Sequence, residues 1–173
     1  GLVSNAYADL TTGLVAHYPF DGNASDMSGN AYHSNAVGVG FSVDRFGKDN
    51  ASVSYAGSHN SYVRLETIPA QDIPFTLSMW LRPTGSSIQG AFDSSPSAPY
   101  VFRIETSEIE WWGNDSIWVT FTPQTWFHLV TSLNNTSSSI VFSAYKNGQV
   151  IQQKTRPLGS SLAWGTPKMG NLN

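Results

Sequence analysis

The chain has 173 residues, of which 40% are hydrophobic and only 12% charged, and its formal net charge is −3. That length supports a single domain with a real core, and the acidic balance, without any cluster of Lys and Arg, excludes a nucleic-acid partner. The absence of cysteine rules out disulfides and thiolate metal sites, and no apolar run approaches the ~20 residues of a membrane-spanning helix.

At the start of the chain, Ala6 and Ala8 form an A-x-A pair of the kind signal peptidase accepts, with Asp9 as the expected mature start. The missing cysteine fits either a cytosolic protein or an exported bacterial one; the A-x-A pair and the low charge favour the secreted or cell-surface reading, and an ordinary chain terminus is the other reading of the same residues. Next, Leu14, Ala16, Tyr18 and Phe20 alternate with Val15, His17 and Pro19, the period of a strand with one buried face. Further strands are predicted over residues 35–41, 51–56, 62–66, 75–82, 100–105, 116–121, 126–133, 140–146 and 149–154. Clusters of Gly, Ser, Asn, Asp and Pro separate them, and Asn147-Gly148 is a hairpin signal whose residues tolerate the positive φ of a type I′ turn. No stretch carries the helical i, i+3, i+4 pattern. Many short strands without covering helices predict an all-β fold, an antiparallel sandwich or barrel, in one domain.

Several of these runs resemble a known family. Gly13-Leu14-Val15-Ala16-His17-Tyr18-Pro19-Phe20-Asp21-Gly22-Asn23-Ala24, followed by Asp26-Met27-Ser28-Gly29-Asn30, resembles the opening of laminin-G-like, concanavalin-A-like domains of bacterial extracellular proteins. Arg45-Phe46-Gly47-Lys48, Phe75-Thr76-Leu77-Ser78-Met79-Trp80-Leu81-Arg82-Pro83, Trp126-Phe127-His128-Leu129-Val130, Tyr145-Lys146-Asn147-Gly148 and Met169-Gly170-Asn171 follow in the family's order. The resemblance implies a two-sheet jelly-roll β-sandwich over residues 13–173. It also implies a closing strand with an acidic residue, which this sequence does not contain. A sandwich short of one strand exposes unpaired backbone and invites strand addition. The extension of residues 1–12 is then either a signal-peptide remnant or a donor strand, with the segment from Gly1 to Leu10 available for self-assembly.

Two groups of residues carry candidate chemistry. Asp21, Asn23 and Asp26 lie in an oxygen-rich loop, and calcium takes about six to eight oxygen ligands. In relatives of the resembled fold the corresponding loop binds Ca2+, with help from the late acidic residue. Asx turns that fix the loop are the alternative use of the same side chains. The second group is aromatic, since six Trp, seven Tyr and nine Phe make up 13% of the chain. Trp80 and Trp126 are expected to pack in the core. Trp111 and Trp112 point to opposite faces of an extended strand, so one can face outward, and Trp118 is expected to pair with one of them across the turn at 113–115. An exposed Trp offers a flat face to the C–H bonds of a sugar ring while polar neighbours bind its hydroxyls. Tyr100, Arg103, Glu110, Trp112, Asn114 and Trp118 form the candidate glycan-binding set; a second aromatic core layer is the other arrangement these rings allow.

Catalysis is not expected. A retaining glycosidase needs two carboxylates about 5 Å apart, and Glu108 and Glu110 share a strand face. The hydrolases of the resembled superfamily use a Glu-x-Asp-x-Glu-like run, and residues 107–112 lack its third carboxylate, so a solvated strand edge accounts for these acids. His17, His33, His59 and His128 lack metal-ligand spacing. The expected function is a non-catalytic, extracellular glycan-binding or adhesion module. A filament or layer subunit built by strand exchange is the rival, and an enzyme of the same fold the third reading.

Overall fold

The computed structural model describes residues 11–56, 61–65, 74–84, 89–93, 101–104, 107–112, 117–157 and 168–170. Its elements are all strands: β1 (Asn35–Val37), β2 (Val39–Ser42), β3 (Ser52–Tyr55), β4 (Tyr62–Arg64), β5 (Phe75–Leu81), β6 (Gln89–Asp93), β7 (Val101–Ile104), β8 (Glu108–Trp112), β9 (Ile117–Thr120), β10 (Phe127–Asn135), β11 (Ser139–Lys146), β12 (Gln149–Pro157) and β13 (Lys168–Gly170). A seven-stranded sheet runs β1-β4-β13-β6-β7-β8-β9, a four-stranded sheet runs β12-β11-β10-β5, and β2 pairs with β3 in a separate hairpin. Every pairing is antiparallel. The protein is an all-β, antiparallel two-sheet jelly-roll sandwich.

Alternation along the strands builds the core. In β9, Ile117 and Val119 are buried while Trp118 and Thr120 are exposed. In β10, Phe127, Leu129, Thr131 and Leu133 are buried, and in β5 Phe75, Leu77, Met79 and Leu81 turn the same way opposite them in register. Ile140, Phe142 and Ala144 of β11 continue this layer, and Val63, Ile104 and Ile109 meet it from the seven-stranded sheet. Successive residues of a strand face opposite ways, so each apolar set leaves a polar set on the outer face.

The two sheets are joined at one edge by side chains. β9 ends the larger sheet and β12 ends the smaller. The backbone N–H of Trp118 donates to Gln152 Oε1 at 3.0 Å, and Lys146 Nζ donates to the carbonyl of Thr120 at 2.6 Å. These bonds occupy the free edge of β9, which would otherwise offer unpaired groups to another chain.

Several sequence expectations are met and others are corrected. Asn147 and Gly148 have φ of 50° and 81°, as a type I′ hairpin requires, between β11 and β12. Met169 lies in β13, which pairs with β4 and β6. The single strand predicted over 35–41 is two, β1 and β2, broken at Gly38 with φ of 58°. The alternating run 14–20 forms no ladder. Its His17 N–H and carbonyl are taken by Asp26 and Met27, Pro19 has no N–H, and Phe20 has φ of 58°. The segment from Gly1 to Leu10, with its donor-strand reading, lies outside the described residues.

The edge clasp is testable. Gln152→Ala removes the acceptor of the Trp118 N–H. Amide hydrogen exchange at Trp118 should then speed up by about tenfold, as loss of one such bond implies, while Leu129 in the middle of the smaller sheet stays protected. Unchanged exchange at Trp118 would show that Gln152 does not hold this edge.

Candidate functional site

The oxygen-rich loop is organised around Asp26, which is 5% exposed. Its Oδ1 accepts the N–H of His17 at 2.8 Å and of Ser28 at 2.8 Å, and its Oδ2 accepts the Ser28 hydroxyl at 2.7 Å and the Tyr32 N–H at 3.0 Å. Burial opposes the charge. The backbone bonds from His17 and Ser28, the Ser28 hydroxyl and the Tyr32 N–H outweigh it and hold the carboxyl at about 2. The Tyr18 phenol is pushed up to about 12, first by burial and then by the Asp26 charge. Asn23 Oδ1 accepts the Ser25 N–H at 2.8 Å, an Asx turn, and Asp21 pairs with Lys48 at 2.6 Å. Of the three residues named for calcium, Asp26 therefore turns inward to protein donors, and Asp21 and Asn23 lie on the exposed side of the loop.

The aromatic set is partly assembled by strand register. Arg103 in β7, Glu110 in β8 and Trp118 in β9 stand directly opposite one another across three adjacent strands. Trp118 is 38% exposed on the outer face, and Glu110 beside it is only 4% exposed. The acids of this strand are thus not a solvated edge: Glu110 is enclosed and Glu108 is half-buried. Trp112 lies two positions beyond Glu110 and pairs with Val101. Tyr100 and Asn114 fall outside the described residues. Trp118 does not pair with a tryptophan, because Trp111 stands opposite Ile117, which puts Glu110 opposite Trp118.

A second aromatic row was not predicted. Trp80 is 42% exposed rather than packed, since β5 turns Leu77, Met79 and Leu81 inward and leaves Thr76, Ser78 and Trp80 outside. Its ring stacks on His128, its partner in register, with centroids 5.0 Å apart and planes 15° apart. His128 Nε2 meets Ser78 Oγ at 2.8 Å, and its backbone N–H donates to Asn147 Oδ1 at 2.9 Å. The guanidinium carbon of Arg45 lies 4.2 Å from the Trp80 ring centroid and 4.2 Å from that of Phe46. The strict alternation of apolar and polar residues in β5 was the signal that Trp80 faces out.

Among the described residues no group of His, Cys, Asp and Glu is arranged to hold a metal ion, and no helix is long and apolar enough to cross a membrane. No protein-family model and no curated protein sequence matches the chain. Solved structures do share its fold. The receptor-binding domain of a botulinum neurotoxin C/D mosaic serotype matches with a TM-score of 0.70 at 14% identity, over 95% of this chain and 45% of that one. A tryptophan-to-alanine mutant of HCR/D matches with a TM-score of 0.66 at 15% identity, over 92% of this chain and 43% of that one. The chain spans less than half the length of each, and what it has in common with them is the β-sandwich fold.

Asp26 supplies a pH-dependent test. Its folded pKa lies below the ordinary 3.8, so the stability it contributes is present above that value and is lost as pH falls toward about 2. Asp26→Asn should cost about 1–2 kcal/mol at neutral pH, with the urea midpoints of the two proteins converging as the pH is lowered. Equal stabilities at neutral pH would mean that the carboxylate does not hold the loop.

Proposed function

We propose that this chain is an extracellular, non-catalytic binding module of the laminin-G-like, concanavalin-A-like type, and that its ligand is a glycan. The observation that carries this reading is the row Arg103–Glu110–Trp118, with an exposed indole beside an enclosed carboxylate on the outer face of a rigid sheet. An indole face packs against the C–H surface of a pyranose, a contact supported by the strands beneath it. The scarcity of charge supports the same ligand class. With 12% charged residues, the polar surface is built largely from Ser, Thr, Asn and Gln, which match sugar hydroxyls. The likeness in fold to receptor-binding domains is in keeping with a module that recognises rather than reacts.

Trp118→Ala should weaken binding on a glycan array, and in calorimetric titration of the best glycan found there, by about tenfold or more, the usual cost of losing a central aromatic anchor. The thermal midpoint should hardly move, because the side chain points away from the core. An array with no hits, or undiminished binding by the variant, would remove the glycan reading of this row.

A further inference from the structure

The turn at residues 44–48 is built to present one cation. Asp44 Oδ1 accepts the N–H of Phe46 at 2.8 Å and of Lys48 at 2.9 Å, the Asp44 N–H donates to the Lys48 carbonyl at 3.0 Å, and Gly47 takes φ of 82°. The two cations of this turn are used differently. Lys48 is tied to Asp21, whereas the Arg45 guanidinium has neither an ion pair nor a hydrogen bond among the described residues. It lies 4.2 Å from the centroids of both the Phe46 and the Trp80 rings, contacts that use its π-face character and do not consume its N–H donors. Those donors match a carboxylate or a sulfate in a bidentate fork. Phe46 is 78% exposed, with open ring surface beside the guanidinium.

We propose that Arg45, held against Phe46 and Trp80, is the anion-reading group of a second saccharide site, which takes a sugar ring bearing one oxyanion, a carboxylate or a sulfate. The guanidinium edge receives the oxyanion and the open face of Phe46 packs against the C–H face of the same ring. The flanking polar side chains Ser78, His128 and Asn147 lie along the outer face beyond Trp80. They suit hydroxyls rather than further charges. A single guanidinium in this turn, on a chain of net charge −3, favours a ligand with an isolated anion over a dense polyanion. The site lies on the sheet opposite to Trp118, and it rests on the glycan reading only for the choice of a saccharide over other carboxylates.

The test is calorimetric titration of the whole chain with trigalacturonate, 3′-sulfolactose and neutral maltotriose, and with a short peptide bearing a free C-terminal carboxylate. Binding of either acidic saccharide should weaken about tenfold or more in Arg45→Gln, and in Arg45→Lys as well, because an ammonium lacks the planar fork. Trp118→Ala should leave it unchanged, which separates this site from the row on β7, β8 and β9. Whichever acidic saccharide binds identifies the oxyanion. Failure of both to bind, equal binding by Arg45→Gln, or Arg45-dependent binding of the peptide alone would overturn the proposal.

Discussion

Leu129, Thr131 and Leu133 point into the sandwich while His128, Val130 and Ser132 point away from it, because successive residues of a strand face opposite ways. The rest of the molecule depends on that constraint. A one-residue slip of β5 along β10 would carry Trp80 into the core and Met79 into water, and with the core layer shared between two sheets such a slip is strongly disfavoured. The register that turns Phe75, Leu77, Met79 and Leu81 inward against the core is therefore the same register that lines up Trp80 with His128. In the larger sheet, the pairing that buries Ile109 between Ile104 and Val119 also sets Glu110 between Arg103 and Trp118. Core and outer face are two sides of one specification.

Polar groups finish what this packing leaves open. The chain before β1 has no ladder to satisfy its backbone, and Asp26 substitutes for one by collecting three N–H groups from residues far apart in that stretch. Asn30 Nδ2 and Ser28 Oγ reach back to the carbonyls of Leu14 and Val15, so the segment folds on itself while Tyr18 and Phe20 pack against the core. The β9 edge is closed by Gln152 and Lys146, which reach across from the other sheet. In both places a side chain takes the role that a neighbouring strand plays elsewhere, consistent with the near-complete pairing of buried backbone groups in folded proteins.

The all-β architecture was legible because alternation is strong in residues 75–82, 116–121 and 126–133, where apolar and polar positions match the observed inner and outer faces. β6 was not. Gln89-Gly90-Ala91-Phe92-Asp93 is short and contains a glycine, features that weaken a strand signal even where pairing makes the strand. The run 14–20 misled in the opposite sense: its alternation is real and its apolar residues are partly buried, but alternation reports burial, not a hydrogen-bonded neighbour. At the aromatic set, Arg103, Glu110 and Trp118 are near one another in sequence, but their common row depends on a strand register that sequence proximity does not specify. Trp80 sits in an apolar strand, which suggests core packing, but its place in the alternation puts it outside. Arg45 and Phe46 carried no such signal, since nothing local says that the turn leans over β5.

The two rows face away from each other. Trp118 stands on the outer side of the seven-stranded sheet, over Ile117 and Val119, and Trp80 on the outer side of the four-stranded sheet, over Met79 and Leu81. Sandwiched sheets lie about 10 Å apart, and the chain has to pass around an edge to reach from one outer face to the other, so a short ligand cannot engage both rows at once. Under the two proposals made above, such faces would hold two separate ligand chains on one body, the geometry of a cross-linker.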